Sequence, residues 1–440
     1  MRDILILLIV FVSIPFILKR PFFGVIMWIW ISVMNPHTQG WGFATSFPFA
    51  AIIAGSTMAG MLFTKDSRSL PMNALTCLLI AFASWMTLTT AFAFYPPESF
   101  VMWKRVMKIL LMTVVALMLV KSKKEIQQYI WILVISLGFY GIKGGIFTIR
   151  GGGTNMVWGP ENTFIGGNNE VALALVLIIP MMRYLQLVST KRWVKHAMTL
   201  SMILCAFSAL GSYSRGALVA IAAMSVFLWL KSAQKLKIGL VLVILFPLLL
   251  AFMPARWSER MDTIQTYEED SSAMGRINAW KMAFNLAKDR PLVGGGFEIY
   301  DPATFARYAP NPRDVHAAHS IYFQVLGEHG FVGLFIYLAL WLVTWRNGTW
   351  IIRNSATRED LLWANQLALM TQVSLVGFAV GGAFLSLLYF DVPYFLMVAL
   401  VVTRVLVQKI KIGEQSSGRP VRVPRKRGAF PKTNVATNAE

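Results

Sequence analysis

The residues best suited to chemistry fall in one stretch, Val315-His316-Ala317-Ala318-His319-Ser320-Ile321-Tyr322, continuing to Glu328-His329-Gly330. Imidazole titrates near neutral pH, so a histidine at the mouth of a helix bundle can act as a general base toward a hydroxyl. A plainer reading stands beside it, in which His319 only caps interfacial backbone. The stretch reads as the start of a helix. At about 100° per residue, His319, Phe323, Leu326 and Gly330 share a face and Glu328 points the opposite way. His319 and Glu328 are therefore not expected to pair. His316, Tyr322 and Glu328 are secondary candidates, with Asn169 from an earlier loop.

Arginine is the second class. Arg215 sits at the polar break Gly211-Ser212-Tyr213-Ser214-Arg215-Gly216 between two apolar runs. An uncompensated charge at the membrane centre costs roughly 2.5–3.5 kcal/mol, and less near the interface. Arg276 and Arg150 fall on the same side. A guanidinium fork binds phosphate oxygens bidentately and keeps its charge at any relevant pH. Each arginine alone is explained by snorkelling to headgroups; three on one side with a histidine suit an anionic, lipid-linked substrate.

Other chemistries find no support. There is no HExxH, CxxC, Walker A or Asp-x-Asp motif. Gly151-Gly152-Gly153 and Gly294-Gly295-Gly296 follow no strand, so neither is a dinucleotide fingerprint. Glu268-Glu269-Asp270 reads as an acidic surface turn rather than a cation site, and Cys77 and Cys205 lie inside apolar runs. No metal and no cofactor are expected.

The elements that must position these residues follow from composition. The 440 residues are 56% hydrophobic and 14% charged, with mean hydropathy +0.58. Soluble domains carry about 25% charged residues, so this chain needs lipid as solvent. That excludes a soluble enzyme, a disordered protein and a disulfide-stapled secreted domain. Met1 to Leu18 lacks a small-residue cleavage site and is read as a helix of the mature protein rather than as a signal peptide. A crossing needs roughly 20 apolar residues, and the apolar runs predict an all-α polytopic protein of 12 or 13 crossings. Twelve is preferred, with residues 4–34 forming one crossing and a re-entrant half-helix around Pro21.

Lys and Arg recur in alternate loops, at Lys19-Arg20, Lys65/Arg68, Lys121/Lys123/Lys124, Lys191/Arg192/Lys195, Lys231/Lys235/Lys237 and Arg346/Arg353/Arg358. By the positive-inside rule these loops and the C-terminus are cytoplasmic. Most of the net charge of +20 is thus topogenic, and no nucleic acid partner is needed. The expected organisation is an N-terminal bundle over 1–253, an external cap over 254–318, C-terminal helices over 319–408, and a basic, disordered tail over 409–440 that touches anionic membrane lipid. Within the cap, Ala273–Ala287 reads as a helix presenting Ile277, Trp280, Ala283 and Phe284. Pro291-Leu292-Val293-Gly294-Gly295-Gly296 ends it.

The pattern His319-Ser320 followed by Glu328-x-Gly330 resembles the His-(Asn/Ser) and Glu-x-Gly signature of the O-antigen ligase and polymerase superfamily of bacterial membrane glycosyltransferases. Ser214-Arg215-Gly216, Arg276-x-x-x-Trp280 and Pro291-x-x-Gly294-x-Gly296 look like its other marks, in the same order. Gly141-Ile142-Lys143, Arg150-Gly151-Gly152-Gly153 and Asn168-Asn169-Glu170 look like its O-glycosylation ligase branch. The resemblance implies transfer of a glycan from undecaprenyl diphosphate to a hydroxyl of lipid A-core, on the periplasmic face of the inner membrane. His319 would be the base, and Arg215 and Arg276, with Arg150, would hold the diphosphate. An O-antigen polymerase or a protein O-glycosylation ligase differs only in acceptor. A flippase of lipid-linked oligosaccharide is a further alternative, which repeat symmetry and midplane charges would favour.

Overall fold

The computed structural model describes residues 1–64, 69–232, 235–262 and 271–416. Among these residues every regular element is a helix. In chain order they are α1 (Arg2–Lys19), α2 (Phe22–Ile29), α3 (Phe49–Phe63), α4 (Ala74–Ala91), α5 (Pro96–Leu119), α6 (Lys123–Arg150), α7 (Asn168–Val188) and α8 (Arg192–Gly211). There follow α9 (Arg215–Lys231), α10 (Lys235–Ala251), α11 (Ala255–Asp262), α12 (Ser271–Asp289), α13 (Pro302–Tyr308), α14 (Ile321–Ser355), α15 (Leu362–Gly381) and α16 (Asp391–Ser416). Lys65, Arg68, Glu268-Glu269-Asp270 and the tail from residue 417 lie outside the described residues.

Among the described residues six helical segments are long and apolar enough to cross a membrane, or seven if α10 and α11, bent by 111°, form one broken span, against the twelve crossings expected from apolar runs. Several of the other apolar runs fall on helices that are short or charged: α9 and α10 have 17 residues each, and α5 carries Glu98, Lys104, Arg105 and Lys108. Counting apolar runs does not separate a full crossing from such helices. At the other end, α16 runs past the expected boundary at 408, to Ser416.

The core is built on α7 and α16. Every residue from Val171 to Ile178 and from Asp391 to Thr403 is buried. Lipid offers helices no hydrophobic drive to associate, so close backbone approach and dispersion must hold them. Gly141, Gly144 and Gly145 supply this where α6 meets α8. A Cβ on Gly145 would lie 2.2 Å from the Leu204 carbonyl oxygen, and one on Gly144 would lie 2.2 Å from Ser208 Oγ. The contact fixes α8 and the turn that follows it.

A second joint sets the start of α14. The helix is kinked at Gly330, whose φ of 70° is left-handed. The chain after α12 docks into the kink: Gly295 N–H donates to Gly327 O (2.9 Å), Gly296 N–H to Glu328 O (2.9 Å) and Phe331 N–H to Pro291 O (2.8 Å). A Cβ on Gly330 would lie 2.4 Å from the Leu292 carbonyl oxygen, so only glycine fits there. Phe94 N–H reaches Gly295 O at 2.8 Å, which ties the α4–α5 turn to the same strap.

The cap has a small core of its own, including Ala279, Met282, Leu286, Ile299 and Phe305. The buried face of α12 includes Gly275, Asn278, Ala279, Met282, Ala283 and Leu286; of the stripe Ile277, Trp280, Ala283 and Phe284 read from the sequence, only Ala283 is fully buried. Small residues let α12 lie against α14. The large aromatics flank the contact, and Phe284 is 43% exposed.

Candidate functional site

His319 is placed by α12. Asn278 Nδ2 donates to Asn311 O (2.8 Å) and Asp314 O (2.9 Å), and its Oδ1 accepts from Asn311 N–H (2.9 Å). Trp280 Nε1–H donates to Ala318 O at 2.6 Å, and its ring stacks on Phe323 at 5.1 Å with 7° between planes. These bonds hold the segment entering α14 in a conformation that leaves His319 at φ 42°. A left-handed non-glycine residue costs roughly 1–2 kcal/mol, so the surrounding contacts must impose it.

The same helix brings Arg276, one turn before Trp280, to the imidazole. Burial and the Arg276 charge, with a smaller push from His316, lower the His319 pKa from 6.5 to about 4. At neutral pH the ring is therefore uncharged and able to accept a proton. Its Nδ1 lies 3.9 Å from Glu170 Oε1, beyond hydrogen-bond reach. With the ring neutral, that approach is not a charge pair. Glu170 also feels the Arg276 charge, so one guanidinium acts on both groups.

Arg215 is held differently. It opens α9 behind Ser214, whose Oγ accepts from Ala217 N–H at 3.2 Å. Preceding Tyr213 is left-handed at φ 59° and its hydroxyl donates to Gly153 O at 2.7 Å. Asn168 Nδ2 donates to Ser212 O (2.8 Å), Arg260 Nε–H to Tyr213 O (3.1 Å) and Trp257 Nε1–H to Leu210 O (3.0 Å). A cation on a helix N-terminus opposes the macrodipole by about 0.3–1 kcal/mol. Three segments, the Gly153 loop, α7 and α11, thus hold a turn whose first helical residue is electrostatically adverse.

The first turn of α7 joins the two halves. Asn168 binds the Arg215 turn and Glu170 approaches His319, with half-buried Asn169 between them. Glu170 was quoted within the Asn168-Asn169-Glu170 motif, yet it was not among the site residues expected. Arg260 belongs to no motif of the sequence. Both come to the site through packing between segments remote in sequence.

The remaining candidates separate from this cluster. Arg150 is the last residue of α6 and exposed; among the described residues no hydrogen bond or ion pair joins it to His319. His316 Nδ1 lies 2.8 Å from Asp314 Oδ1 on the solvent side, and Tyr322 Oη donates to Ala379 O at 2.9 Å between α14 and α15. Glu328 is buried in a core network. It accepts from Tyr389 Oη and from Gln324 Nε2 (3.1 Å), and Tyr389 in turn meets His329 Nε2 at 2.7 Å. His329 Nδ1 meets Thr89 Oγ1 at 2.7 Å. In this structure Glu328-x-Gly330 forms the kink joint of α14.

Arg215 at the start of α9, and Arg276 acting on the His319 imidazole, thus belong to an apolar chain, all-helical among the described residues, with helices able to cross a membrane. Residues 200–338 match the family model described as O-Antigen ligase. This match supports the O-antigen ligase superfamily for the chain, a glycosyltransferase-like family. The matched segment contains Arg215, Arg276, His319 and Glu328. Residues 1–190, which hold Arg150, Asn169 and Glu170, match a family of unknown function (DUF5935). No curated protein matches the chain.

Proposed function

We propose that the protein transfers a glycan from undecaprenyl diphosphate to a hydroxyl of lipid A-core, on the periplasmic face of the bacterial inner membrane. The observation that carries this reading is the pairing of a neutral His319 with the fixed charge of Arg276. The acceptor oxygen attacks the anomeric carbon while the bond to the diphosphate oxygen breaks. The hydroxyl proton passes to the His319 imidazole, and the bonding electrons leave with the diphosphate. Arg215 and Arg276 meet the growing charge, with exposed Arg150 as a weaker third cation. One displacement inverts the anomeric centre.

The charges support an order of events. Before the donor binds, burial and Arg276 together hold the imidazole poorly basic. A diphosphate against Arg276 cancels that push, so the base strengthens only when donor is in place. The guanidinium groups supply the charge a metal would otherwise bring, and no cofactor enters the step. A protein acceptor, with a Ser or Thr hydroxyl, is the second reading. It is favoured by Glu170 of the Asn168-Asn169-Glu170 motif lying beside His319.

The test is transfer by purified protein from lipid-linked glycan, with lipid A-core and a Ser/Thr peptide offered separately. His319→Ala should lower the rate by roughly 10²–10⁴-fold, the usual range for a general base, while His316→Ala is milder. An active His319→Ala variant beside an inactive His316→Ala variant would refute the assignment.

A further inference from the structure

Helix α5 carries three cations within five residues, Lys104, Arg105 and Lys108, all exposed in a helix otherwise built for apolar surroundings. Charges inside membrane helices are costly and mark functional positions. Two cavities of about 550 Å³ each meet at these residues. The first is an apolar groove between α4 and α5, walled by Leu79, Ile80, Ala83, Met107 and Leu111, with Lys104 and Lys108 on its rim. Across α5 lies the second, a polar cavity that the same two lysines share with Arg105.

Ser32, His37 and Asp391 line that polar cavity. Among the described residues His37 Nδ1 is a buried atom without a hydrogen bond, and buried Ser32 Oγ and Asp391 Oδ1 have only each other as side-chain partners. Buried polar atoms are almost always satisfied, so this under-satisfied wall calls for a hydroxylated ligand. Three cations against one carboxylate leave the cavity net positive. Its remaining wall, Asn162 to Ile165, leads directly into the turn that carries Asn168 and Glu170.

We propose that α5 is the docking site of a phosphorylated glycolipid, and, resting on the glycosyltransferase reading, that this lipid is the acceptor. Its acyl chain lies in the α4–α5 groove. Its phosphate sits among Lys104, Arg105 and Lys108. Its sugar hydroxyls meet Ser32, His37 and Asp391. The site is separate from the diphosphate clamp of Arg215 and Arg276, so each lipid-anchored substrate has its own cations.

The experiment uses the full chain in phosphatidylcholine nanodiscs, with no donor present, and measures binding of lipid A. Competitors are dephosphorylated lipid A, phosphatidylglycerol and inorganic phosphate. Charge-assisted hydrogen bonds contribute about 1.5–3 kcal/mol each, so Lys104→Gln/Arg105→Gln/Lys108→Gln should weaken lipid A binding by at least about tenfold. All three competitors should bind at least about tenfold more weakly than lipid A. His37→Ala, on the far wall, should weaken lipid A and leave phosphatidylglycerol unchanged, which keeps the test valid if the triple variant fails to fold. Undiminished binding by a folded triple variant, or equal competition by phosphatidylglycerol or by dephosphorylated lipid A, would overturn the site. In turnover, the triple variant should raise KM for the lipid acceptor with kcat nearly constant. If wild type transfers glycan and that KM does not move, the site fails and the transferase reading stands. If lipid A binds at α5 but wild type transfers nothing, the transferase reading fails and the site stands.

Discussion

The pH dependence of the reaction gives the sharpest test of the site, because His319 sits far from its ordinary pKa. Burial and Arg276 bring it to about 4 from 6.5. At pH 5.5 an ordinary imidazole is about 90% protonated, while one titrating near 4 is about 3% protonated. A base must be unprotonated to act, so kcat/KM should hold its plateau down to about pH 5 and fall only as pH drops through 4. Replacing Arg276 by Gln removes a positive neighbour, so the pKa should rise. The burial contribution stays. Residual turnover in Arg276→Gln should then show its acid limb displaced upward, although the plateau itself falls with loss of the clamp. NMR titration of imidazole-labelled protein, assigned with His319→Gln, reads the same shift without turnover. An acid limb near 6.5 in wild type, or a limb that Arg276→Gln leaves in place, would refute the electrostatic argument.

Arg215→Lys and Arg276→Lys should each recover little of the turnover lost in the Ala variants, since a lysine lacks the planar fork; turnover near wild type in either Lys variant would place the diphosphate elsewhere. Glu328→Gln and Tyr389→Phe should lower the melting temperature in detergent, a buried network bond being worth about 1–3 kcal/mol, and leave the acid limb unchanged. Loss of transfer by either variant with an unchanged melt would instead make Glu328 part of the reaction. Excess EDTA should leave turnover intact, and activity lost on chelation and restored by magnesium would overturn the arginine clamp. Truncation after Gly413 should preserve activity per folded molecule, and a folded but inactive truncate would mean that the tail serves the site.

What sequence alone determined about this protein is what depends on local composition. Apolar runs and scarce charge require a lipid-embedded helical chain, because no soluble surface tolerates that balance. The break at Ser212-Tyr213-Ser214 divides α8 from α9 as expected, since a polar turn interrupts any helix. Helical periodicity assigned His319 and Glu328 to opposite faces of one helix, but α14 begins only at Ile321 and His319 lies before it at φ 42°, so their separation is set by the segment entering the helix and not by helical phase. Tertiary structure alone decided the rest. Glu170 meets His319 across about 150 residues of chain, a proximity set by how α7 and α14 pack and absent from any local spacing. The helix over 273–287 was legible, but apolar spacing alone does not reveal which side of α12 has a partner; the small residues Gly275 and Ala279 allow the close contact and leave Phe284 exposed. Glu328 and Gly330 read as chemistry in a motif, yet packing made them a joint, since Gly330 takes up the docked strap and Glu328 is satisfied within the core. The three cations of α5 likewise gain meaning only from packing. A charge in an apolar helix carries no address until the cavities on both sides of it exist.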